Sequence, residues 1–103
     1  MAFRAAIDAM FRDRHMASDA LYRAGGSGDP VPVRVIKRAP DRIANFGDGR
    51  FVADAVLYDV RVSEVAVLAP GDTLEVAGVV YELRGEPVRD AERLVWAAEA
   101  RAL

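Results

Sequence analysis

The chain contains no cysteine, which excludes disulfides and metal sites built from thiolates. It has a single histidine, His15, which follows a helix-like segment among charged residues, where we expect a surface position and no catalytic role. The carboxylates are scattered, without a spacing typical of acid–base catalysis or of a calcium loop. We therefore expect no catalytic residue, no cofactor and no metal, and we do not interpret the protein as an enzyme.

Long apolar runs are also missing: none approaches the about 20 residues of a membrane-spanning helix. The net charge is −2, from 14 basic and 16 acidic residues. A protein that binds nucleic acid tightly through its phosphates carries a basic surface instead. With 103 residues the chain predicts a single domain, 1–103, of thin stability margin. Association with other copies is one way for such a domain to bury more surface.

An amphipathic helix is predicted within residues 1–14. Phe3, Ile7, Met10 and Phe11 recur at the spacing of one helix face. This face either packs on the sheet of its own chain or docks on a neighbouring subunit, and the pattern leaves both open.

Short strand-like runs separated by turn formers fill residues 19–101. In "VPVRVIK" and "AVLYDVRV" apolar and polar residues alternate with the period of two that is typical of half-buried strands. Pro32 cannot donate to a ladder, so its strand is expected at a sheet edge or to begin beyond the proline. The predicted fold class is mainly β, with one short helix and one long loop between strands.

The stretch "PGDTLEVAGVVYELRG" predicts a hairpin. Pro70-Gly71 has the chemistry of a type II turn. Alanine at positive φ costs about 1–2 kcal/mol, so at Ala77-Gly78 we expect a type I turn with a bulge at Gly78 in place of a type I′ turn. The last segment, "AERLVWAAEARAL", is helical by propensity and strand-like by alternation.

The order of these elements resembles the phage head–tail joining proteins, the stoppers or head-completion proteins of long-tailed phages and gene-transfer particles. The likeness runs nearly the whole length, and its most telling parts are Pro70-Gly71-Asp72-Thr73, the Gly78-x-x-Tyr81 step and the closing Leu94-Val95-Trp96. Ala77 departs from it, since many relatives carry Asp before the glycine. The resemblance favours a strand at the C-terminal end.

The resemblance implies a small β-barrel or sandwich that assembles as a ring of six copies in the virion neck. Such a ring lies beneath the portal and its adaptor, retains packaged double-stranded DNA in the channel without sequence specificity, and binds the tail terminator or other tail proteins below. Assembly takes place in the host bacterial cytoplasm. Tyr58, Tyr81 and Trp96 are then expected to pack in the core or at an interface.

The loop 39–53 is the candidate functional segment, because it is longer than the about 4–6 residues of an ordinary connection between strands. It carries two arginines and three large apolar residues: Arg42, Ile43, Phe46, Arg50 and Phe51. Three roles stay open for this loop: it lines the channel, it contacts the next ring, or it packs on its own barrel. Gly47-Asp48-Gly49 within it is expected to be a loop-tip turn.

Two alternatives remain. The first is the tail terminator, the ring on the tail side of the same joint. The second is a small module like an OB-fold that binds single-stranded nucleic acid, which would need basic and aromatic residues together on one exposed face.

Overall fold

The computed structural model describes residues 2–38 and 55–103, in which one helix precedes six strands that close into a barrel. The elements are α1 Ala2–Arg12, β1 Ser18–Arg23, β2 Val31–Arg38, β3 Ala55–Arg61, β4 Thr73–Val76, β5 Val79–Arg89 and β6 Val95–Ala102, with a single 3-10 turn, Ala24–Gly26, between β1 and β2. Neighbouring strands are antiparallel, in the order β1-β2-β3-β6-β5-β4. The mainly β prediction with a short N-terminal helix is confirmed, and the architecture is the barrel.

The barrel interior is filled by one side of each strand, as the alternation predicts. Its most completely buried side chains include Tyr58 and Val60 on β3, Leu74 on β4 and Leu83 on β5. Alanines at the buried positions of β6, Ala98 and Ala100, leave room for these larger residues.

Strand β2 is not an edge strand and it begins at Val31, before the proline, so both interpretations of Pro32 are wrong. β2 pairs with β1 on one side and with β3 on the other. The proline is tolerated because β3 pairs with the half of β2 that begins at Val35, so that among the described strands Pro32 has β1 as its one neighbour.

The C-terminal segment is a strand. β6 pairs with β3 on one side and β5 on the other, and the backbone N–H of Leu103 still donates to the carbonyl of Val80 at 2.9 Å. Hydrogen bonds on both sides of β6 outweigh the helical propensity of its alanines.

The hairpin between β4 and β5 corrects a second expectation. Val76 pairs directly with Val79, and both intervening residues have positive φ, 53° at Ala77 and 83° at Gly78. This is a two-residue loop of type I′, without the predicted bulge. Its twist matches that of the flanking strands, and this match outweighs the cost of placing alanine in the left-handed region. The irregularity of β5 lies further along, between Arg84 and Val88.

Candidate interaction surface

Helix α1 lies on the outside of the barrel, over β2. Phe11 is only 1% exposed and packs with Ala17 and with Ile36 of β2; Ile7 and Val95 complete this second, smaller core. One part of the helix's apolar face is therefore buried on its own barrel.

Arg34 of β2 holds the C-terminal end of α1. Its Nε–H donates to the carbonyl oxygen of Phe11 at 2.9 Å, and a second guanidinium nitrogen donates to the carbonyl of Ala17 at 3.2 Å. The last carbonyls of a helix lack partners within the helix, and a cation near them also interacts favourably with the helix dipole. Asp19 pairs with the same guanidinium at 2.8 Å.

Arg61, at the end of β3, holds the middle of the helix. Its guanidinium lies 5.2 Å from the centre of the Phe11 ring and forms ion pairs with Asp8 and Glu64, both at 3.1 Å. The Arg61 side chain is largely buried, so these contacts are less screened than surface pairs. A single arginine thus joins the helix, β3 and the segment that follows β3.

The other edge of the helix face stays uncovered. At about 100° per residue, Met10 and Phe3 lie at one side of the apolar arc and Phe11 at the other. Phe3 is 65% exposed and Met10 38% exposed. Of the four residues predicted to dock the helix, Phe11 and Ile7 contact the barrel, whereas Phe3 and Met10 face outward.

The three aromatic residues predicted to pack in a core or interface face the barrel interior. The rings of Tyr58 and Tyr81 meet edge to face, with centres 5.2 Å apart. Trp96 is half-buried against the core, donates its Nε1–H to the carbonyl of Val65 at 2.8 Å, and has the guanidinium of Arg89 above its ring. These rings do not form the exposed stacking face that a single-strand binding module needs.

Asp72 has a structural role that sequence reasoning missed. This buried carboxylate accepts hydrogen bonds from the Tyr22 hydroxyl at 2.6 Å, from the Gly25 N–H at 2.8 Å and from the Ala69 N–H at 3.0 Å. Burial, followed by the hydrogen bond and negative charge of Asp72, raises the pKa of Tyr22 above the ordinary tyrosine value. Asp72 therefore ties β1, the turn after it and the start of β4 together.

The turn that precedes Asp72 is the type II turn that the sequence predicts. Gly71 has φ 92°, and the N–H of Asp72 donates to the carbonyl of Ala69 at 3.2 Å. Pro70-Gly71-Asp72 is therefore one unit, in which the turn aims the carboxylate inward. Turn chemistry and the family resemblance marked this position in the sequence, but neither showed what the carboxylate binds.

Comparison with protein families decides the class of this protein. The family model described as phage head-tail attachment protein matches residues 1–100. The chain belongs to this family. No curated protein and no solved structure matches it.

Family membership confirms the resemblance found in the sequence and makes this attachment protein a structural component of the phage neck. Within residues 2–38 and 55–103, no group of three or more His, Cys, Asp or Glu side chains could hold a metal ion. No helix in the same range is long and apolar enough to cross a membrane.

The predicted loop 39–53 lies outside the described residues. That range includes all five of its candidate side chains: Arg42, Ile43, Phe46, Arg50 and Phe51. Among the described residues, β2 ends at Arg38 and β3 begins at Ala55.

Proposed function

We propose that this attachment protein is the stopper of the neck. Six copies form a ring beneath the portal adaptor, keep the packaged double-stranded DNA in the head and present a platform to the tail terminator or tail proteins. Assembly occurs in the cytoplasm of the host bacterium.

The observation that supports this function best is the half-covered helix. Phe11 is buried on the barrel while Phe3 and Met10, on the same apolar arc, remain exposed. Burying one such side chain stabilises a protein by about 1.5–3 kcal/mol. A small domain that leaves these side chains in water does without that stabilisation. A neighbouring copy in a ring would cover them through a contact that repeats until the ring closes.

The charge of the chain is compatible with a DNA channel. At −2 overall, the protein would not bind the phosphates so tightly that DNA could not leave. We assign the DNA contact to Arg42 and Arg50 of the loop 39–53, with Ile43, Phe46 and Phe51 packing between neighbouring loops.

The ring contact is tested by replacing the exposed edge of the helix. Particles made without the protein are complemented with Phe3→Ser/Met10→Ser, and DNA-filled heads with tails are counted by electron microscopy. We expect few such particles, while circular dichroism shows the purified variant folded. The matched control is Met16→Ser/Val67→Ser, which removes two exposed apolar side chains outside α1. Equal particle yields from both variants would contradict the ring contact.

DNA retention is tested separately with Arg42→Ala/Arg50→Ala. The expected result is assembled necks whose heads have lost DNA, measured as nuclease-protected DNA per head. Fully filled heads in this variant would remove the gating role from the loop.

A further inference from the structure

A groove of about 220 Å³ runs between α1 and the ends of β3 and β6. Apolar side chains form part of its wall: Ile7 from the helix, Val62 after β3 and Leu94 before β6. The remaining lining is mainly charged, and three of its residues are arginines: Arg4, Arg61 and Arg93.

The positive charge of this groove is only partly compensated. Asp8 lines the groove and Glu64 lies beside it, but both carboxylates pair with Arg61. Arg4 and Arg93 have no ion-pair partner among residues 2–38 and 55–103. The Nε–H of Arg61 is buried and likewise has no acceptor within those ranges.

The first turn of α1 adds to the positive potential. It contains no acidic residue and carries Arg4 instead. The N-terminal end of a helix already bears a partial positive charge, so a cation there is unfavourable unless an anion lies nearby.

Arg93 occupies a backbone position that favours glycine, with φ 59°. The turn is fixed by Asp90, whose carboxylate accepts hydrogen bonds from the N–H groups of Leu94 and Val95 at 2.8 and 3.2 Å. Left-handed backbone is unfavourable for a residue with a Cβ. A guanidinium is therefore held at the groove rim at some cost in stability.

We propose that this groove binds an acidic segment of an adjoining neck protein, with carboxylates at Arg4 and Arg93 and an apolar side chain between Ile7 and Leu94. The apolar wall favours a peptide over DNA, because a phosphate backbone offers nothing to bury against it. The identity of the partner as a neck protein rests on the proposed function; the acidic and apolar chemistry of the segment does not.

The chemistry is tested on the isolated, ¹⁵N-labelled protein by NMR titration. The probe is a short capped peptide of alternating leucine and glutamate; the comparison peptide carries glutamine in place of glutamate, and a short DNA duplex is the phosphate source. We expect the glutamate peptide to shift the amide signals of Arg4, Ile7, Ser63 and Leu94, and the glutamine peptide to leave them in place. Equal shifts from both peptides, or shifts from the duplex alone, would overturn the proposal.

Two variants locate the binding. Arg93→Gly removes one guanidinium while relieving the backbone strain, so it should fold at least as well as the original chain. Combined with Arg4→Glu it should weaken peptide binding about tenfold, because two exposed ion pairs are lost and a repulsive charge is added. The control is Arg14→Glu, an exposed position that does not line the groove, which should bind as before. Unchanged affinity in the double variant would place the peptide elsewhere and refute the assignment.

The titration requires neither a ring nor a particle. A negative result would therefore refute the peptide-binding groove without bearing on the stopper function. In particles, the same double variant should retain the helix edge that forms the ring but lose a neighbouring component of the neck. A complete neck from this variant would contradict the proposed partner.

Discussion

Replacing Asp72 by alanine should destabilise the barrel strongly, because this carboxylate joins three parts of the chain. Asp72 is 6% exposed and accepts hydrogen bonds from the Tyr22 hydroxyl, the Gly25 N–H and the Ala69 N–H. Each hydrogen bond to a charged group contributes about 1.5–3 kcal/mol.

The net cost is smaller than the sum of the three, because Asp72→Ala also removes the expense of burying a charge. We expect a loss of about 3–5 kcal/mol, because three buried donors each lose their acceptor at about 1–3 kcal/mol and the recovered cost of burying the charge offsets part of that sum. That is a large share of the roughly 5–15 kcal/mol of a typical domain. At about 4–8 °C per kcal/mol for a domain of this size, the melting temperature should fall by about 12 °C or more.

The measurement is urea unfolding followed by circular dichroism, at one protein concentration because association adds apparent stability. Tyr22→Phe is the matched variant: it removes one donor but leaves Asp72 its two backbone N–H donors, so it should cost about 1.5–2 kcal/mol. The double variant should then lose less than the sum of the two single losses. A cost under about 1 kcal/mol for Asp72→Ala would refute the role given to this residue.

Three further changes test other parts of the structure. Ala77→Gly should stabilise the hairpin by about 0.5–1 kcal/mol, because glycine adopts positive φ without the penalty of a Cβ; a loss of stability in urea would contradict the type I′ turn. Arg61→Met keeps the apolar stem but removes both ion pairs, so hydrogen exchange should quicken in α1 and not in the barrel; equal changes in both would mean that Arg61 is not the helix anchor. Burial raises the pKa of Tyr22 and Tyr58, so the unfolded chain loses these protons first and stability should fall as pH rises above about 10. The free energy of unfolding should then fall with a slope that approaches about 1.4 kcal/mol per pH unit for each tyrosine. Tyr22→Phe or Tyr58→Phe should each lessen this slope by about half; an unchanged slope would contradict the burial of that hydroxyl.

The strands were predictable from sequence because alternation of apolar and polar residues is a local signal. The alternation shows which side of a strand is buried without any knowledge of the neighbouring strands, as at Val33 and Val35 or at Tyr58 and Val60. Closure into a barrel was left open, since it depends on pairings such as β1 with β4 that join residues about 50 positions apart along the chain.

The turn at Ala77 shows how a correct local cost led to a wrong structure. Alanine does disfavour positive φ, but the twist of the antiparallel strands β4 and β5 imposes a two-residue loop of type I′. The roles of Asp72 and Arg61 depend on partners from distant segments, which spacing cannot show. The helix illustrates both limits: its apolar face was predicted, but which side the barrel covers is decided by Arg34 and Arg61.

Cryo-electron microscopy of the neck in assembled particles tests the central claim most directly. We expect a ring of six copies between the portal adaptor and the tail, with Phe3 and Met10 of each helix covered by the adjacent copy. A neck in which this protein is absent, or in which those two side chains face solvent, would contradict it.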